Sequence, residues 1–209
     1  MMIKREYLSM IKREYMSGDE FIEKILSGER NFTGINLEKN FNLTKNKRFD
    51  KLQDYLRNQD LKNNPLNISY SRLEGLIARN LYLPHIMGIK TIFIETDFRN
   101  ANLKEGILGE SYFKKTSFKK ANLTGTSFVR TIIEQGNYEE SNLINANFVK
   151  AHIYETDFRK ACLHDANFVK AILNEVNFRK ADLKEAVFWE ASIMKISLKN
   201  AKNLEKRVY

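Results

Sequence analysis

Between Phe98 and Leu198 every fifth residue is Phe, Leu or Ile, with Tyr138 the only substitute. Two places before each stands Ala, Gly, Ser or Thr, except at Val176 and Ile196. A helix repeats its buried face every 3.6 residues and a strand every two, so a strict period of five fits neither a simple helix nor a flat sheet. The chain must turn a corner every five residues. If each pentapeptide forms one side of a coil, the large central residue points inward, the small residue packs inward near the corner, and the other three positions face water. Four sides then close a square, whose interior has no room for a second large residue per side at close-packed density. The pattern predicts one short unit stacked many times.

Ala101-Asn102-Leu103, Ala121-Asn122-Leu123, Ala146-Asn147-Phe148, Ala166-Asn167-Phe168 and Ala181-Asp182-Leu183 show the repeat most clearly. These residues resemble the pentapeptide repeat proteins, whose loose consensus is Ala, then Asp or Asn, then Leu or Phe, then two variable residues. The resemblance implies an all-β solenoid, a right-handed quadrilateral β-helix with four pentapeptides to a coil. It is informative about fold and much less so about role, because one fold hosts many functions.

The register runs back through Phe93, Gly88, Leu83, Ala78 and Leu73 to Ile68, so coiling is expected to begin near Leu66 and to comprise 27 pentapeptides up to centre 198. Four segments follow: a helical cap at 1–30, first repeats interrupted by an inserted helix at 31–67, the β-helix at 68–203, and a short C-terminal cap at 204–209. Within the first, Asp19 to Leu26 places Phe21, Ile22, Ile25 and Leu26 on one helical face. In the second, Arg48 to Asn58 carries Phe49, Leu52, Tyr55 and Leu56 at helical spacing, ended by Asn63-Asn64-Pro65. Caps are needed because an end coil presents unpaired strand edges and an apolar cross-section. The short C-terminal segment leaves that cap either incomplete or supplied by a partner, and the resemblance, to a family with members that dimerise end to end through their last coil, implies a second copy as the candidate, in a homodimer. Residues 2–9 and 10–17 are a tandem copy, which a recent duplication or a start at Met10 explains better than function does.

Residues twenty apart share a face, so outward positions sort into columns. One face carries Arg99, Lys119, Arg159, Arg179 and Lys199, a basic ladder interrupted at Glu139 and Glu140 and a candidate surface for nucleic acid or another polyanion. Opposite it, Val129, Val149, Val169 and Trp189 are expected to form an exposed apolar ribbon, a candidate interface for a protein partner or a second copy. The net charge of +9 opposes a third role implied by the resemblance, that of the acidic subfamily that mimics DNA toward gyrase and other type II topoisomerases. Residues 68–209 alone contribute +6, from 22 basic and 16 acidic side chains.

No phosphate loop, paired-Cys motif or nucleophile elbow occurs. His85, His152 and His164 are scattered, and Cys162 and His164 are read as solvated, so no catalytic, cofactor or metal site is assigned. No stretch reaches the 18 apolar residues of a membrane span, and the charged first residues do not read as a secretory signal. The single Cys162 agrees with a reducing compartment. A non-enzymatic, cytoplasmic interaction scaffold is the expectation.

Overall fold

The computed structural model describes residues 12–203. Strands β1 (Glu14–Met16), β2 (Ile35–Leu37), β3 (Arg72–Glu74), β4 (Ile92–Ile94), β5 (Tyr112–Lys114), β6 (Ile132–Glu134), β7 (His152–Tyr154), β8 (Ile172–Asn174) and β9 (Ser192–Met194) form one parallel sheet in chain order. From Arg72↔Ile92 onward each strand pairs with the segment 20 residues later. Three more parallel ladders of single bridges run beside it, through Asp97↔Ser117, Asn102↔Asn122 and Ile107↔Ser127 among others. Four ladders with a 20-residue turn make a quadrilateral β-helix. Nine rungs span roughly 38 Å at strand spacing.

The corner is made by one residue in five. Every fifth position from Tyr70 to Asn200 has a positive φ, yet only Gly75 and Gly125 among them are glycine. A left-handed conformation costs a non-glycine residue about 1–2 kcal/mol. The amide of the corner residue recovers it by donating to the next coil, as Asn100 N does to Lys119 O at 3.0 Å and Glu105 N to Thr124 O at 2.8 Å. Where the second position of a repeat is Asn or Asp it has a role beyond facing water: its side-chain oxygen accepts the amide two residues on. Asn147 Oδ1 takes Val149 N at 3.0 Å, Asn167 Oδ1 takes Val169 N at 3.0 Å, and Asp97 Oδ1 takes Arg99 N at 3.1 Å. Asp and Asn have the short reach this turn needs.

Inside, the central aromatics stack along the axis. Phe128, Phe148, Phe168 and Phe188 follow one another at 4.8–4.9 Å with planes within 4°. The column Phe98, Phe118, Tyr138, Phe158 and Phe178 meets them edge-on, for example Phe148 against Phe158 at 89°. Ala101, Ala121, Ala146 and Ala166 fill the corners at no more than 1% exposure. Where Thr or Ser replaces Ala, the hydroxyl donates to a backbone carbonyl, as Thr91 Oγ1 does to Ile68 O at 2.8 Å and Ser111 Oγ to Gly88 O at 2.6 Å. Tyr138 is the exception, fully buried with no partner for its hydroxyl among the described residues. Gly136 makes its room, since a Cβ there would lie 2.9 Å from the Tyr138 ring.

Coiling begins earlier than the repeat pattern suggests, at β1 rather than near Leu66. The pentapeptide register is lost there, because Glu14 pairs with Ile35 and Asn36 with Arg72, offsets of 21 and 36 residues. The longer offset accommodates a 3₁₀ turn at Leu43–Lys45 and helix α2 (Phe49–Arg57). Before it, α1 (Gly18–Leu26) starts at Ser17, whose Oγ accepts Glu20 N at 3.2 Å, and it buries Phe21, Ile22 and Ile25. Phe21 meets Phe32 edge-on at 4.7 Å. Arg30 links the elements, donating to Tyr55 OH at 2.8 Å and Gln59 Oε1 at 3.0 Å. At the other end Ile193, Ile196 and Leu198 are only partly buried against the core. The first octapeptide copy, the first two residues of the second (Met10 and Ile11), and the cap at 204–209 lie outside the described residues.

Two substitutions test this account. Tyr138→Phe removes an unpaired buried hydroxyl, whose burial costs about 1–3 kcal/mol, and is expected to raise the thermal unfolding midpoint; a lower midpoint would mean that the hydroxyl is satisfied. Asn147→Ala deletes a turn hydrogen bond and is expected to cost about 1 kcal/mol in denaturant unfolding. No loss there would contradict the role given to the second repeat position.

Candidate interaction surfaces

The basic ladder stands on the face whose centres are Phe98, Phe118, Tyr138, Phe158 and Phe178, and the structure pairs most of it with acids. Arg99 forms a two-pronged pair with Asp97, through Nε to Oδ1 at 2.9 Å and Nη2 to Oδ2 at 2.7 Å, while Arg79 reaches the same carboxylate at 2.6 Å. Burial raises the Asp97 carboxyl, but these bonds outweigh it and hold the group below its ordinary value. Arg159 binds Asp157 likewise, Nε to Oδ2 at 2.8 Å and Nη2 to Oδ2 at 2.7 Å. Glu139 is a staple rather than an interruption. Its side chain is 11% exposed, takes Lys119 Nζ at 2.6 Å, and lies within 4 Å of Lys160 and Arg159, at 3.7 and 3.9 Å. Lys160 also reaches Glu140 at 3.0 Å, and its hydrogen bond depresses that carboxyl. Of the five candidate polyanion contacts, Arg99, Lys119 and Arg159 are thus paired. Arg179 and Lys199, with neighbouring Lys180, are exposed, and no ion pair joins them to the other described residues.

The opposite face carries the apolar ribbon. Val129, Val149 and Val169 are half-buried rather than fully exposed, while Trp189 stands 52% exposed beneath Lys170, whose Nζ lies 5.5 Å from the ring centre. Gly109 breaks the ribbon and leaves a shallow groove of about 330 Å³, lined by Ile89, Ile107, Val129 and Val149 with Glu110, Arg130 and Lys150 at its rim. A Cβ at Gly109 would sit 3.2 Å from Val129 O, so even Ala would tighten this notch. Ile107, 43% exposed, belongs to the surface although it stands one place before the central residue rather than one place after. Sorting a single outward column therefore omits it; sorting the two outward columns together includes both Ile107 and Ile89.

Near the last coils a second, open groove of about 590 Å³ lies among Lys160, Cys162, His164, Lys180, Asp182 and Lys202. His164 is coupled across coils, its Nε2 3.0 Å from Asp182 Oδ2. That contact, helped by the Asn203 amide and opposed by partial burial, keeps the Asp182 carboxyl below its usual range. The sequence pattern predicts a solvated His164, whereas in the structure a carboxylate of the neighbouring column, Asp182, meets the imidazole. Cys162 is a half-buried free thiol. Among the described residues no three His, Cys, Asp or Glu side chains are grouped to hold a metal ion, and no helix is long and apolar enough to cross a membrane.

The three bridge ladders and the strand ladder repeat one structural unit, and comparison with known proteins identifies it. The family model for pentapeptide repeats matches eight copies over residues 96–135, 133–165 and 161–200. No curated protein matches. Among solved structures, a trypsin-treated variant of the plasmid-mediated fluoroquinolone resistance protein QnrB1 is 17% identical over 65% of this chain and 75% of its own, with a TM-score of 0.43. A pentapeptide repeat protein of the Arabidopsis thaliana thylakoid lumen is 23% identical over 46% of this chain and 64% of its own, TM-score 0.36. HetL, a pentapeptide repeat protein from the cyanobacterium Nostoc involved in regulating heterocyst differentiation, is 18% identical over 90% and 94%, TM-score 0.23. With the matched repeats spanning residues 96–200 and their geometry as described, this chain belongs to the pentapeptide repeat family.

Proposed function

We propose that this protein is a non-enzymatic scaffold that binds a protein partner along the ribbon from Ile107 to Trp189. The observation that carries the reading is the coincidence, on one face, of a row of apolar side chains, a notch at Gly109 and an exposed Trp. Arg130 and Lys150 border the strip without an ion pair to another described residue. They leave the rim able to read acidic groups on the partner while the strip supplies the apolar contact. Trp189 is the natural anchor, since large amphipathic rings dominate interface energetics. The partner is a different protein or a second copy; for the latter the partly buried Ile193, Ile196 and Leu198 of the last coil offer a further apolar surface. DNA mimicry toward a topoisomerase fits poorly, because it asks for an acidic surface and this chain has a net charge of +9.

A Val149→Glu, Trp189→Glu double variant is expected to lose the stoichiometric protein recovered by affinity capture from nuclease-treated native lysate, or to lose self-association in sedimentation. Retention of both would end the ribbon's role.

A second reading, polyanion binding, rests on a narrower observation than the full ladder: Arg179, Lys180 and Lys199 are the exposed cations of that face without ion pairs among the described residues. Affinity for single- or double-stranded nucleic acid is then expected to fall steeply with salt and to drop further in Arg179→Glu, Lys199→Glu, measured by fluorescence anisotropy. Unaltered binding by the variant would reject this surface.

A further inference from the structure

The backbone beneath the apolar ribbon is already hydrogen-bonded. Glu110 N donates to Val129 O at 2.8 Å, and Arg130 N, Lys150 N and Lys170 N donate to Val149 O, Val169 O and Trp189 O at 3.0 Å each. The amides of Val149 and Val169 are held within their own turns by Asn147 and Asn167. The ladder through Ser127, Asn147, Asn167 and Val187 continues from coil to coil, so this face has no free sheet edge. An extended segment lying here would bury its own N–H and C=O groups without partners. A helix satisfies its backbone internally.

The spacing also suits a helix. At the strand separation, Val129, Val149, Val169 and Trp189 stand at roughly 0, 4.8, 9.6 and 14.4 Å along the axis. Helix residues i, i+3, i+7 and i+10 stand at about 0, 4.5, 10.5 and 15 Å, within roughly 1 Å of each rung. Alternate residues of an extended strand advance by about 6.7 Å and lose register at once. One turn beyond Val129, the notch at Gly109 takes a large side chain of the same helical stripe.

Charge along the ribbon is one-sided. The corner residues beside it run Lys90, Glu110, Arg130, Lys150, Lys170 and Glu190. Lys90 lies 3.6 Å from Glu110 and Lys170 lies 3.3 Å from Glu190, which leaves Arg130 and Lys150 consecutive, exposed and without ion pairs to other described residues. The opposite border, Ser127, Asn147 and Asn167, is neutral. Neither helix among the described residues suits the role in a second copy, because α1 buries Phe21, Ile22 and Ile25 and α2 buries Leu52 and Leu56 within their own fold.

We propose, resting on the ribbon as a protein-binding surface, that its occupant is an amphipathic helix of another protein lying along the axis. Its apolar stripe at i, i+3, i+7 and i+10 covers the ribbon, and acidic residues on one flank meet Arg130 and Lys150.

The test pans phage-displayed random peptides of about 16 residues, enough for roughly four helical turns, on this protein, with counter-selection on the Val149→Glu, Trp189→Glu variant. Enriched sequences are expected to carry apolar residues at spacings of three and four with Asp or Glu along one flank. A synthetic peptide of the most enriched sequence is expected to shift the emission of Trp189, the sole tryptophan, to shorter wavelength and to gain helical circular dichroism on binding. It is expected to bind Arg130→Glu, Lys150→Glu roughly tenfold more weakly. Apolar residues at alternate positions, no gain of helicity, or equal affinity for the charge variant would each overturn the helix while leaving the ribbon a binding surface. Sequences that bind the Val149→Glu, Trp189→Glu variant equally well, or no enrichment at all, would remove the helix and the ribbon together.

Discussion

Every coil of this protein completes its backbone hydrogen bonding only through the coil above and the coil below. The amide of each repeat centre, such as Phe98 N to Ser117 O at 2.8 Å, points one way along the axis, and that of the residue before it, such as Asp97 N to Leu76 O at 2.8 Å, points the other. A single turn of chain would leave these groups unpaired, so the unit of stability is the stack. Everything else is adapted to that constraint. Left-handed corners at Glu, Lys and Asn are tolerated because their amides are held by the next coil, and stacked rings at 4.8–4.9 Å match the rise that the hydrogen bonds impose.

The same constraint explains what was legible in the amino-acid sequence. A position that points inward meets its own equivalent twenty residues away, so only residues that stack on themselves fit, and Phe128, Phe148, Phe168 and Phe188 record this directly. Where the period fails the fold becomes harder to read. Glu14–Met16 joins the sheet through a 21-residue offset, which no count in fives would find. The Asx contacts of Asn147 and Asn167 were hidden for a different reason: an outward polar residue looks solvated whether it hydrogen-bonds its own turn or water.

Surface chemistry was less legible because outward positions answer to neighbours in adjacent columns as well as to those twenty residues away. Lys119 finds Glu139 along its column, but Arg99 finds Asp97 two residues back, and His164 finds Asp182 eighteen residues on. Counting one column made Glu139 look like a break in a basic ladder; in the structure it lies among Lys119, Arg159 and Lys160. Exposed pairs of this sort contribute little to stability, in the range of about 0–1 kcal/mol. Their larger consequence is for recognition, because a guanidinium already holding a carboxylate in two-pronged geometry must give up that partner before it binds another.

That exchange sorts the surface by position along the rod. In the middle coils the ladder face is occupied by internal pairs centred on Asp97, Glu139 and Asp157, so a macromolecule landing there would displace contacts as it makes new ones. On the opposite face Arg130 and Lys150 have no ion pair to displace among the described residues, and they stand beside the apolar strip. Binding free energy is a difference between bound and free states, so equal new contacts yield more where fewer old ones are lost. The strip beside Arg130 and Lys150 is thereby favoured over the more densely charged face, although charge alone would have pointed to the ladder.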